Sequence, residues 1–343
     1  MPVLISLIRS ASLAAVAASI VACSSQSAVP NGGLAAARPQ IAPHQTGLFV
    51  YVANHRKRDV TVYAPSTSTN VIRTYKSGIE RPTAIAFDGS SNLYVASNSG
   101  KGGRVTEYPA GSTGLVRTIS GLSRPSFLAV DGSNDLWVAI RGNNTVNEYA
   151  PQSVGLKLTV SNGVSDPDGL AFDGSGNLYV ANRANNSVTV YAAGTNSLMT
   201  GRTITNGVSN PRYVLLDHSG NIYVANVGNN TVTIYAAGTN VLMFTISSGI
   251  SAPDALAVNG SNNLYVANAG NNTVTEYVPA SPTILRTIAN GLNRPISMAF
   301  DSGGTLYVAN RHTVTSYVNG TQTLLTTFTS GVHDPDMIGV AGQ

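Results

Sequence analysis

Residues 177–196, NLYVANRANNSVTVYAAGTN, return almost letter for letter at residues 221–240 as NIYVANVGNNTVTIYAAGTN. A chain that repeats itself this closely is built from copies of one supersecondary unit, so the interval has to be counted before any motif is weighed. The aromatic residue of the motif falls at Tyr51, Tyr94, Trp137, Tyr179, Tyr223, Tyr265 and Tyr307, spaced 42 to 44 residues apart, which makes seven units. Each unit carries four short apolar segments, as in LAFD, LYVAN, VTVY and LRTI, rich in Val, Ile, Thr and Tyr. Gly and Asn pairs that accept positive φ separate the segments, which is the pattern of antiparallel hairpins.

A four-stranded unit of that size cannot bury both faces alone, so the units must stack, and radial stacking gives a β-propeller. The termini indicate that the ring closes. The first unit begins at GLFVYVAN without a preceding Pro-x-x-LAFD segment, whereas a surplus DPDMIGVAG, residues 334–342, follows the last unit. The C-terminal segment is therefore expected to supply the innermost strand of the first blade, leaving no open sheet edge at the seam. The expected fold is all-β: a seven-bladed propeller with four antiparallel strands per blade over residues 47–343.

Residues 1–22 hold one charge, Arg9, and then a run of small apolar residues, the pattern of a secretory signal. The only cysteine, Cys23, follows in SIVAC, which resembles the lipobox of bacterial lipoproteins and implies lipidation at Cys23. Residues 23–46, rich in Ser, Ala, Pro and Gly, read as a flexible spacer. An exported monomer anchored in the cell envelope by its lipid is expected, at the outer membrane, in the periplasm or on the surface. Only 10% of the chain is charged and the formal net charge is +4, too slight a bias for a nucleic-acid partner.

The stretch PDGLAFDGSGNLYVAN resembles the NHL repeat, and LYVAN with NNTVT resembles the YVTN repeat of bacterial surface propellers, across residues 47–343. The resemblance speaks for fold more than for function, because these families include binding scaffolds, gluconolactonase-like hydrolases and streptogramin-type lyases. For the enzymes it implies a metal held by His, Glu, Asp or Asn ligands facing the central channel.

Strand direction sorts the loops onto two faces. On the lower face Asp88, Asp131, Asp173, Asp217 and Asp301 open Gly-rich turns and are expected to accept hydrogen bonds from the turn backbone. Glu107, Glu148 and Glu276 recur in the third segment and read as strand-surface residues. On the upper face, the residue after the proline that opens each blade varies: Thr83, Ser126, Asp168, Arg212, Asp254, Ile296 and Asp336. That residue is expected at the channel mouth, which makes Asp168, Arg212, Asp254 and Asp336 ligand-binding candidates. The last residue of YVAN lies nearby, and the amides of Asn182, Asn226, Asn268 and Asn310 could either meet a ligand or satisfy strand ends.

Basic residues concentrate on the same face, at Arg56, Lys57, Arg58, Arg81, Lys101, Arg104, Arg124, Arg141, Arg183, Arg212, Arg294 and Arg311. A field of that sign could steer an anionic envelope glycan or a protein partner. At the closure seam His55, His312 and His333 share a sector with Asp336, a candidate catalytic or metal-binding group for a zinc-like divalent ion. The folded region has neither a cysteine nucleophile nor a G-x-S-x-G elbow. The sequence thus leads to a non-enzymatic ligand- or protein-binding module acting through its upper face. The alternative is a metal-dependent lyase or hydrolase at the channel mouth.

Overall fold

The computed structural model describes residues 48–64, 69–99 and 102–342. The signal segment, Cys23, the spacer and Lys101 lie outside the described residues. Regular structure among the described residues consists of 27 strands, numbered β1–β27 in chain order. They form seven antiparallel sheets, each running outward from an inner strand. The inner strands are β4 (Pro82–Phe87), β8 (Pro125–Val130), β12 (Pro167–Phe172), β15 (Pro211–Leu216), β19 (Pro253–Val258), β23 (Ser297–Phe300) and β27 (Pro335–Gly342).

Closure is as expected. The C-terminal β27 pairs with β1 (Leu48–Asn54) in the register Val52↔Ile338 and heads the sheet β27-β1-β2-β3. The first blade thus combines both ends of the folded region. Blade 4 departs from the pattern, because Gly201 and Arg202 interrupt its outermost segment. Beyond β14 (Ser187–Tyr191) that segment is reduced to two isolated bridges, Val188↔Ile204 and Tyr191↔Leu198. Arg202 is turned back onto the Tyr179 hydroxyl at 2.6 Å.

Two tyrosine sets tie the blades together. Each motif aromatic is buried, and most reach the lower-face aspartate six residues earlier: Tyr223 donates to Asp217 at 3.0 Å and Trp137 to Asp131 at 2.9 Å. The same aspartates accept backbone N–H groups of their turns, as Asp217 does from Ser219 and Asn221. The tyrosine closing the third strand donates to a carbonyl between adjacent blades, Tyr235 to Asn206 at 2.5 Å and Tyr277 to Ser248 at 2.6 Å. An aromatic body supplies the apolar burial between blades while its hydroxyl keeps a partner.

Glu107, Glu148 and Glu276 correct the sequence reading. They are buried, and each is neutralised by a cation from the outermost strand: Arg117 at 2.5 Å for Glu107, Lys157 at 2.6 Å for Glu148, and Arg286 for Glu276. A carboxylate at that depth persists only because the neighbouring strand brings its counter-charge.

Candidate functional site

The upper mouth is built by one backbone device used seven times. The residue before each opening proline is Arg81, Arg124, Asp166, Asn210, Ala252, Arg294 or Asp334, and all seven have φ between 45° and 57°. A non-glycine residue in this left-handed region costs about 1 kcal/mol, and a residue preceding proline ordinarily prefers extended backbone. The geometry persists because both backbone groups are pinned. The N–H groups of Asp166, Asn210, Ala252 and Arg294 donate to the side-chain oxygens of Asn144, Asn186, Asn230 and Asn272 at 2.6 to 2.8 Å. The carbonyl of Asp166 accepts from Arg183 N–H at 3.2 Å and that of Asp334 from His55 N–H at 3.0 Å. The second asparagine of the hairpin in blades 3 to 6 therefore clamps the start of the next blade.

The residue after the proline is bulged. In β12 the register passes from Pro167↔Asn182 to Gly169↔Ala181, leaving Asp168 without a cross-strand partner. Arg212, Asp254, Thr83, Ser126 and Asp336 occupy the corresponding shifts of their strands. A bulge re-aims one side chain without unravelling the strand. Here it turns the variable residue of each of these blades toward the axis.

Around the axis lies a cavity of ≈ 370 Å³ lined by Asp168, Arg212, Asp254 and Asp336 together with Arg124, Arg141, Arg294 and Arg311. Two guanidinium groups reach carboxylates of the next blade. Arg141 grips Asp168 and stands 3.7 Å from Asp166, and Arg212 is 2.7 Å from Asp254. Burial pushes the Asp254 carboxyl above its ordinary value, a shift that Arg212 and Arg294 oppose. At the seam, His55 Nδ1 stands 2.8 Å from Asp336 Oδ2, and this hydrogen bond raises the imidazole pKa. Arg124, Arg294 and Arg311 have no ion-pair partner among the described residues, so the lining presents free cationic groups beside held carboxylates.

The structure brings Asp168, Arg212, Asp254 and Asp336 to one cavity, but not the asparagines. Asn182, Asn226, Asn268 and Asn310 are fully buried. Asn226 Nδ2 donates to Val224 O at 3.2 Å, Thr231 Oγ1 at 3.3 Å and Thr233 Oγ1 at 3.0 Å, while its oxygen accepts from Ser209 N–H at 3.1 Å. Asn182 and Asn268 make the same set, and Asn310 uses Val308, Thr315 and Asn293 N–H. Their amide capacity is consumed inside the fold, because they stitch strand ends to the loop that precedes each blade.

The seam histidines do not converge either. His55 is engaged with Asp336, while His312 and His333 are exposed, and the backbone N–H of His333 donates to Asn54 Oδ1 at 2.9 Å. Among the described residues the His, Cys, Asp and Glu group whose ligand atoms come within 4.8 Å of one another is Asp131, Asp135 and Glu148, in blade 3. Lys157 already sits 2.6 Å from both Asp135 and Glu148 there. The mouth carboxylates Asp168 and Asp254 are bound to guanidinium groups. The residues at the mouth therefore do not fit the metal centre implied by the resemblance to metal-dependent propeller enzymes.

The pre-proline arginines Arg124 and Arg294 and the hairpin residues Arg141 and Arg311 were visible in sequence only as upper-face charge. Their position one residue from a repeated landmark was the available signal, but their convergence depends on left-handed backbone that no local rule predicts before proline.

Comparison with known proteins gives one partial family match and several structural neighbours. Residues 170–259, which contain Arg212 and the whole of the Asp254 strand, match a family model described as lactonase, 7-bladed β-propeller. No curated protein matches the chain. Among solved structures, a Lactobacillus plantarum protein aligns with TM-score 0.73 at 16% identity, covering 86% of this chain and 99% of its own. A Bacteroides fragilis structure named "putative 6-phosphogluconolactonase" aligns with TM-score 0.69 at 14% identity, covering 87% and 99%. The Staphylococcus aureus virginiamycin B lyase, solved as an inactive variant with quinupristin, aligns with TM-score 0.60 at 13% identity, covering 73% and 85%. At these identities the structural matches establish the propeller fold alone. The lactonase match over residues 170–259 corrects the expectation of a non-enzymatic binding module and favours the hydrolase alternative.

Proposed function

We propose that this propeller is a hydrolase that opens the ring of a small anionic lactone in its upper cavity, by acid–base chemistry that uses no metal. The observation that carries the reading is the lining itself: five arginines, three of them without an ion pair among the described residues, beside carboxylates held in place across a cavity of ≈ 370 Å³. That volume lies within the range of about 300 to 1,000 Å³ usual for small-molecule sites. Lactone opening places negative charge on the former carbonyl oxygen, and guanidinium donors fixed by a rigid ring of blades stabilise that charge as it develops. An unpaired arginine also holds an acidic substituent of the substrate. The lactonase match over residues 170–259 and the structural neighbour named for 6-phosphogluconolactone support the same substrate chemistry.

The test is ring opening followed by proton release, with glucono-δ-lactone and its 6-phosphate as a neutral and anionic pair. The anionic lactone is expected to open at the higher kcat/KM, with a rate that survives chelator and falls with added salt. In the triple variant Arg124→Ala, Arg294→Ala, Arg311→Ala, KM for the anionic lactone is expected to rise at least about tenfold. Failure to open any of a panel of γ- and δ-lactones overturns the reading.

A further inference from the structure

Four carboxylates line the cavity, and they are not equivalent: Asp334 and Asp336 stand partly exposed at the seam, whereas Asp168 and Asp254 are buried. Asp336 has a side chain 37% exposed, and its Oδ2 is taken by His55. Asp254 is buried and its Oδ1 accepts Arg212. The Asp168 side chain is only 9% exposed; Oδ1 is gripped by Arg141, while Oδ2 is buried and accepts no hydrogen bond from the protein. A buried carboxylate oxygen without a donor is costly and calls for an explanation. The comparable orphan oxygens of Glu107 and Glu276 stand against arginine side chains inside their blades, whereas that of Asp168 belongs to a residue of the cavity wall.

The backbone around Asp168 supports a positioned group. It is the bulged residue of β12, and the next residue is Gly169, where the aligned positions of neighbouring blades carry a side chain, as Ala84, Phe127, Tyr213 and Ala255 do. A Cβ at Gly169 would stand 3.0 Å from Val214 N and 3.1 Å from Arg212 O. The glycine therefore lets β12 lie close against β15, which brings Asp168 to the strand that carries Arg212.

We infer that Asp168 is the catalytic base of the lactone opening, with Arg141 as its positioning residue; the inference rests on the hydrolase reading above. The Asp168 carboxylate takes a proton from water as the water oxygen bonds to the lactone carbonyl carbon. The carbonyl π pair moves to the carbonyl oxygen, beside the cavity arginines. When that pair returns, the ring C–O bond breaks with its electrons on the departing alkoxide, which takes the proton from Asp168. Water and lactone become a hydroxy acid, the carboxylate is regenerated, and the product acid ionises to solvent.

The experiment compares wild type with Asp168→Asn, Asp168→Ala and Arg141→Gln on an anionic lactone, with a thermal melt on each. Asp168→Asn is expected to lower kcat by about 10² to 10⁴ with KM little changed. Formate is expected to restore part of the Asp168→Ala rate, a rescue that a purely structural role would not show. Should the Asp168 variants not fold, Arg141→Gln keeps the test open. Removing the guanidinium frees the carboxylate from its held orientation, so kcat is expected to fall at least about tenfold with KM little changed, and Arg141→Lys is expected to recover part of the loss. An active wild type whose kcat survives in Asp168→Asn, or is unchanged in Arg141→Gln, overturns the base assignment and leaves the hydrolase reading standing. A wild type that opens no lactone overturns both.

Discussion

Asn226→Ala separates the structural role found for the YVAN asparagines from the ligand contact their position suggested. The side chain is fully buried and makes four hydrogen bonds, to Val224, Thr231, Thr233 and Ser209. Two of these losses are softened, because Thr231 also donates to Asn229 at 2.7 Å and the Thr233 hydroxyl is also hydrogen-bonded with the Tyr235 hydroxyl at 3.0 Å. The Ser209 N–H has no such substitute. At about 1 kcal/mol for each replaceable bond, and about 1 to 3 kcal/mol for a donor left buried and unpaired, the expected loss is about 3 to 5 kcal/mol. With a urea m-value of about 3 kcal/mol/M, the upper end for a domain of ordinary size, the unfolding midpoint should fall by about 1 to 1.7 M. Urea titration followed by tyrosine fluorescence reads the midpoint, and lactone kinetics on the folded variant read KM. A midpoint within about 0.3 M of wild type, together with a raised KM, would refute the reasoning and return the amide to the ligand.

Two further predictions concern pH. The hydrogen bond to Asp336 raises the His55 pKa above 6.5, so its contribution to stability is complete below pH 6.5 and is lost as pH rises through the raised value. The stability advantage of wild type over His55→Gln should therefore shrink in urea titrations from about pH 5 to about pH 9, and a constant difference would show that the seam pair is not linked to folding. Asp59 is fully buried beside Asn54, where blades 4, 5 and 6 use Ser187, Thr231 and Thr273. Burial raises its carboxyl pKa above 3.8, so the ionised form costs stability at every higher pH. Asp59→Thr should raise the urea midpoint at neutral pH, and the gain should vanish below about pH 4; a loss at neutral pH would mean that the Asp59 to Asn54 bond outweighs desolvation.

Several features of the architecture are legible in the residues alone. The period of the motif aromatics, from Tyr51 to Tyr307, gave seven blades, and the surplus DPDMIGVAG gave the closure that β27 and β1 realise. The turn role of the lower aspartates was readable as well, because a side chain that bonds its own turn acts within a few residues of sequence. The cavity residues Asp168, Arg212, Asp254 and Asp336 were placed by counting from a repeated proline, a landmark that survives translation into space.

Other features required partners far apart in the chain. Nothing near Asn182 or Asn226 distinguishes an amide facing a ligand from one buried against threonine hydroxyls, since both positions end a strand at the mouth. Glu107 looked like a surface residue because its counter-charge, Arg117, arrives on the next strand. His55, His312 and His333 share a sector of the ring, but convergence on one ion depends on the direction of each side chain. Periodicity, turn chemistry and strand count act over a few residues, so the sequence by itself determined the propeller and its closure. Side-chain direction, charge pairing across blades and the left-handed residues before each proline arise where separate blades meet, so only the tertiary structure decided which residues form the site.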